Sequence, residues 1–202
     1  KLITAFGASD SKHTTQTKNM DYINGSLYLS GMMKGGFAPY GEEKARIASK
    51  STPLNGFVIK CDASNGEWLG GVSADEQGIG GYFGVAKGKE NNLYAYGYSW
   101  ATPNKGICLT TIDESSWEKT EKIALITETG MGTAWSCLAD GTNFYSFSRG
   151  NKAVNFYNSE FTLPAPTGWG MFISSWKLDD IATGIETPNL AGNDTRIYGV
   201  QG

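Results

Sequence analysis

One short passage is written into this chain three times, and no other feature restricts its fold as much. It reads Asn24-Gly25-Ser26-Leu27-Tyr28-Leu29, then Glu90-Asn91-Asn92-Leu93-Tyr94-Ala95, then Asp140-Gly141-Thr142-Asn143-Phe144-Tyr145. Each copy is followed by a second apolar strand behind a glycine: Gly56-Phe57-Val58-Ile59, Gly106-Ile107-Cys108-Leu109 and Gly170-Met171-Phe172-Ile173. The first landmark recurs after 66 and then 51 residues (27 to 93, 93 to 144), the second after 50 and then 64 (56 to 106, 106 to 170). Two landmarks in constant order define a structural repeat of several short strands.

A period of roughly 50 to 65 residues filled with short strands belongs to the blade of a β-propeller, whose blades are four-stranded sheets. The predicted fold class is therefore all-β: three four-stranded β-propeller blades. Propellers close with about four to eight blades. Three blades leave two apolar blade faces open, so the reading makes this chain part of a larger ring whose further blades lie on a preceding polypeptide segment or on a companion polypeptide, the expected partner; the alternative is a smaller sandwich in which the repeats are over-read. Composition agrees. The 202 residues include 27 glycines, 12% aromatic and only 18% charged residues, a balance that favours turns and packed aromatic strands over amphipathic helices. The net charge of −3 comes without a basic cluster, which removes the footprint of nonspecific nucleic-acid binding. No apolar run approaches the length of a membrane-spanning helix. The opening Lys1-Leu2-Ile3-Thr4-Ala5 reads as the middle of a fold, hence as a processed or truncated start.

The repeats are bounded at 1–67, 68–120 and 121–181, with 182–202 left as a linker and tail. Each opens on a short apolar strand: Leu2–Phe6, Trp68–Val72 and Ile123–Ile126. Repeats two and three continue with Gly78-Ile79-Gly80-Gly81-Tyr82-Phe83-Gly84-Val85 and Gly130-Met131-Gly132-Thr133-Ala134-Trp135-Ser136-Cys137. Glycines at such spacing fit an innermost strand whose backbone meets a neighbour too closely for a Cβ. Long insertions follow the tyrosine strand in repeats one (residues 34–50) and three (155–167). Such loops are either binding surface or extra hairpin length.

Chemistry-bearing groups are sparse. The single histidine, His13, lies in a polar stretch with no carboxylate at relay spacing. The adjacent acid pairs are Glu42-Glu43, Asp75-Glu76 and Asp179-Asp180. Acids from different blades would be needed to frame a glycosidic bond. Cys61, Cys108 and Cys137 form no C-x-x-C or Cys/His cluster, and aligning Gly56 with Gly106 sets Cys61 opposite Thr111. They read as buried core thiols, with no disulfide, metal or cofactor. Tyr94, Tyr96, Tyr98 and Trp100 alternate along one strand and share a face. Tyr145 and Phe147 recur at the places of Tyr94 and Tyr96, which points to inter-blade packing there. Tyr98 and Trp100 approach the loop end. The candidate ligand-binding set is Tyr98, Trp100, Trp135, Asp75 and Glu76.

Leu27-Tyr28-Leu29-Ser30-Gly31 followed by Asn55-Gly56-Phe57-Val58-Ile59-Lys60-Cys61-Asp62 resembles the repeats of bacterial β-propeller proteins, with repeats two and three as degenerate copies, over about residues 2–180. Thr183-Gly184-Ile185-Glu186, a polar spacer and Arg196-Ile197-Tyr198-Gly199-Val200-Gln201-Gly202 resemble the start of the C-terminal sorting tail of Bacteroidetes-type secreted and surface proteins, stopping after the first strand. The resemblance implies an extracytoplasmic setting, secreted or at the outer-membrane surface. The expected function is a noncatalytic binding or scaffold module whose ligand is a carbohydrate or a protein. The alternatives are a polysaccharide-degrading enzyme with acids from different blades, and a structural subunit of an outer-membrane assembly.

Overall fold

The computed structural model describes residues 2, 4–8, 14–40, 42, 44–49, 54–74, 78–88, 90–99, 106–128, 132–140, 142–156, 162–178 and 198–199. The chain is all-β, and every strand pairing is antiparallel.

Three meanders of four strands carry the architecture. The first runs β2 (Thr14–Ile23), β3 (Ser26–Lys34), β6 (Asn55–Asp62) and β7 (Trp68–Ser73). The second runs β8 (Ile79–Lys87), β9 (Asn92–Ser99), β10 (Gly106–Asp113) and β11 (Glu118–Glu128). The third runs β12 (Gly132–Ala139), β13 (Asn143–Gly150), β16 (Gly170–Lys177) and the short β17 (Tyr198–Gly199). The described sheets form an open series and do not close into a ring.

Sequence repeat and sheet are offset by one strand. Trp68–Ser73, at the opening of the second sequence repeat, pairs with β6 as the last strand of the first sheet. Ile123 and Ile126 likewise lie in β11, paired to β10. Tyr198–Gly199, from the stretch resembling a tail, occupies the fourth place of the third sheet beside Phe172 and Ile173. The strand expected at Leu2–Phe6 is β1, Phe6–Ala8, and belongs to none of the meanders. In strand register Leu27 stands opposite Cys61 and Leu93 opposite Ile112. Cys61 therefore corresponds to Ile112, one place from the Thr111 that the glycine alignment gave.

Both long insertions build strands. In repeat one, β4 (Gly36–Pro39) and β5 (Ile47–Ala48) join β1 in a small sheet of their own. In repeat three, β14 (Val154–Phe156) and β15 (Thr162–Leu163) return to the edge of the second sheet, with Ile126 opposite Phe156.

Alternating side chains divide each meander into a near face, toward the preceding sheet, and a far face, toward the next. β8 crosses β2, β3 and β6, and β12 crosses β8, β9 and β10. Between the first two sheets lie Tyr28 and Val58 against Tyr82, Val85, Cys108 and Ile112. Between the second and third lie Tyr96, Leu109 and Leu125 against Phe144, Phe172 and Trp176, with the Tyr96 and Phe144 rings 5.3 Å apart. A third cluster holds Met33, Phe57 and Ile59 on the near face of the first sheet, under Phe6 and Phe37 of the small sheet. The Phe37 ring stacks 5.1 Å from Phe57. Cys61, Cys108 and Cys137 are buried free thiols, as their sequence context predicts.

Candidate functional site

Among the described residues the first strands β2, β8 and β12 each pair on one side only, so each presents an open edge there. These edges converge at Gly84. A Cβ there would overlap the Cys137 sulfur and stand 3.1 Å from Asn19 Nδ2, which brings all three sheets to one point. Asn19 donates its amide to both carboxylate oxygens of Asp21 at 3.1 Å. Asp21 in turn accepts the Val85 backbone N–H at 3.0 Å, tying β2 to the unpaired edge of β8. Burial raises the Asp21 carboxyl, while the Val85 and Asn19 hydrogen bonds pull the other way. Burial also pushes the Cys137 thiol up, with Asp21 adding to it. A thiol held protonated is a poor nucleophile, so this junction offers hydrogen bonding rather than covalent chemistry. Among the described residues no cluster of His, Cys, Asp and Glu is arranged to hold a metal.

A second polar cluster sits where the first two sheets meet. Glu114, in the turn after β10, accepts the Tyr28 hydroxyl at 2.5 Å and hydrogen bonds from Lys60 and Lys87. Burial alone would raise this carboxyl, but the hydrogen bonds of Lys60, Lys87 and Tyr28 outweigh it and hold it at about 2. Tyr28 moves upward, by burial first and by Glu114 second. The cluster is a charged clasp between sheets, saturated by its own partners.

The two end faces of the series are less complete. On the near face of the first sheet a cavity of about 430 Å³ opens between the small sheet and β2, lined by residues that include Phe6, Thr17, Met20, Leu27, Leu29 and Phe37. Met20 and Tyr22 stand exposed beside it, at 60% and 70%. On the far face of the third sheet Leu138, Phe147, Met171 and Ile173 are exposed, and register places Phe147 opposite Ile173. Two of its polar residues are engaged within the chain: the Arg149 guanidinium lies 4.4 Å from the Trp169 ring centre, and Tyr145 donates to Asp140 at 3.0 Å.

Of the residues that sequence singled out for binding, Tyr98 is half-buried on β9 and packs against the core between the second and third sheets. Tyr94 and Tyr96 share its face and are fully buried, so this row packs one sheet on the next. Trp135 lies in β12 at a bulge, where pairing steps from Ala134 to Ser136. Trp100, Asp75, Glu76 and His13 lie outside the described residues. Sequence reading missed β2 altogether, because Thr14–Ile23 is mostly polar. The alternation of Met20 and Tyr22 was the available signal. Glu114 carried no signal, since its partners lie 86, 54 and 27 residues away.

No protein-family model matches this chain, and no curated protein or solved structure matches it either.

Proposed function

We propose that this chain is a noncatalytic β-propeller-type binding and scaffold module of a secreted or surface-displayed bacterial protein, and that a polypeptide is what it binds. The bacterial setting rests on the repeat and tail resemblances. The propeller reading is supported by four-stranded meanders that dock in series, each laying its first strand on the far face of the sheet before it. The observation that carries the binding reading is the far face of the third sheet, where Leu138, Phe147, Met171 and Ile173 stand exposed beside the Arg149–Trp169 and Tyr145–Asp140 contacts. That distribution of apolar and polar surface is the anatomy of a protein interface.

Native mass spectrometry of the particle taken from its source, with every chain identified by intact mass, tests the reading. A particle holding this chain with at least one further identified chain is expected. A lone folded chain of 21.7 kDa that engages no other polypeptide overturns it. Release of reducing sugar from soluble polysaccharides by the purified protein overturns the noncatalytic part.

A further inference from the structure

Equivalent positions in the three sheets have unequal fates. By strand register Tyr28, Tyr94 and Tyr145 correspond, as do Ser30, Tyr96 and Phe147, and Val58, Leu109 and Ile173. In the first two sheets these far-face residues are at most 2% exposed, whereas Phe147 is 36% and Ile173 45% exposed. The first strands repeat the pattern from the other side. Met20 pairs with Leu29, Val85 with Ala95 and Cys137 with Ser146, at the same step of each hairpin. Val85 and Cys137 are buried on the preceding sheet at 3% and 8%, while Met20 is 60% exposed. The far face that is buried twice inside the chain is thus left over on the third sheet, and the first-strand surface that docks on it is left over on β2, at opposite ends of the series. The small sheet covers Phe57 and Ile59 on the first near face but leaves Met20 and Tyr22 on β2 open.

We infer that these ends join: the first strand of a second copy of this chain docks on the far face of the third sheet, head to tail, so that two copies close a ring of six meanders. The inference rests on the propeller reading above and names its partner. Two copies place the ring within the four to eight sheets that propellers use, and a two-fold axis closes a head-to-tail contact that would otherwise grow into a filament. The leftover surfaces are also the apolar ones. Six of the ten exposed large apolar side chains among the described residues, Met20, Tyr22, Leu138, Phe147, Met171 and Ile173, lie on these two faces.

Multi-angle light scattering on the purified chain at micromolar concentration is expected to give twice 21.7 kDa. Met20→Glu and Ile173→Glu, one at each end, should each yield a single-chain particle with unchanged β-sheet circular dichroism, the dissociation constant rising ~10²-fold or more because an unpaired charge is buried. A single-chain wild type overturns the inference, as does any closed state other than two copies. A pair that survives Met20→Glu also overturns it, since a face-to-face contact of two third sheets would not use β2. Where a charge variant fails to fold, a short bis-maleimide on M20C/I173C decides, because the native thiols are buried. Cross-linked doublets from the double variant, absent from I173C alone, support head-to-tail pairing, and doublets from I173C alone overturn it. A single-chain wild type beside a native particle with a different identified partner would sink the second copy and leave the binding reading standing.

Discussion

At the residue scale, Gly84 is held between the first strands of all three sheets. Three first strands meet there, and the space for a Cβ is taken by the Cys137 sulfur. Gly84→Ala should cost about 2 kcal/mol, within the usual range for overpacking a core. Cys137→Ala in the same chain removes the obstructing atom, so the double variant should be more stable than the sum of the two single losses. Urea denaturation of the four proteins measures this coupling, and strict additivity would mean that the strands do not approach as described. Glu114 makes a different kind of contribution. Its carboxyl sits at about 2 against an ordinary 4.5, so its stabilising effect is complete above about 4.5 and is lost as pH falls toward 2. Glu114→Gln leaves Lys60 and Lys87 without their anion and should cost about 2 kcal/mol at neutral pH. That difference from wild type should shrink through the same acid window in a series of thermal melts.

At the scale of elements, the hairpins were the most legible part of the sequence. Asn24 and Gly25 adopt positive φ of 49° and 82°, the two-residue turn that Asn-Gly favours between strands. Asp140 accepts the backbone N–H groups of Thr142 and Asn143, an Asx turn in the third copy. The paired strands after these turns were readable because Leu27, Leu93 and Phe144 are buried or half-buried in every copy. β2 was not, since polar Asn19 and Asp21 stand on its half-buried face toward β8 while Met20 and Tyr22 stand on the exposed one. The insertions were seen as insertions only. Nothing local tells residues 36–48 to pair with Phe6–Ala8 or residues 154–163 to return to β11, because those partners are chosen by tertiary contact. The small sheet nonetheless contributes to stability. Phe37 is 3% exposed and packs on Phe6, Phe57 and Trp68. Phe37→Ala should cost about 3 to 4 kcal/mol. A loss below about 1 kcal/mol in equilibrium unfolding would mean that the small sheet is an ornament on the first meander.

At the scale of the whole molecule, the sequence repeat showed that similar sheets follow one another, and the structure adds how they lean together. The tyrosines that alternate along β9 are the contact between one sheet and the next, because a residue that points away from its own sheet points into its neighbour when sheets are stacked in series. The same rule separates binding from packing here. Far-face positions are buried in the first two sheets, and the third leaves Phe147 and Ile173 at those positions facing water.

The one-strand offset between repeat and sheet has a consequence for how such a molecule is cut or enlarged. A segment excised as repeat two or three carries a strand that belongs to the sheet before it, and each repeat lacks the strand that completes its own sheet. Each repeat is therefore a rivet as well as a unit. A fragment ending at residue 67 would surrender Trp68–Ser73 and expose the β6 edge, whereas a tandem duplication of one repeat would supply at one join what it lacks at the other.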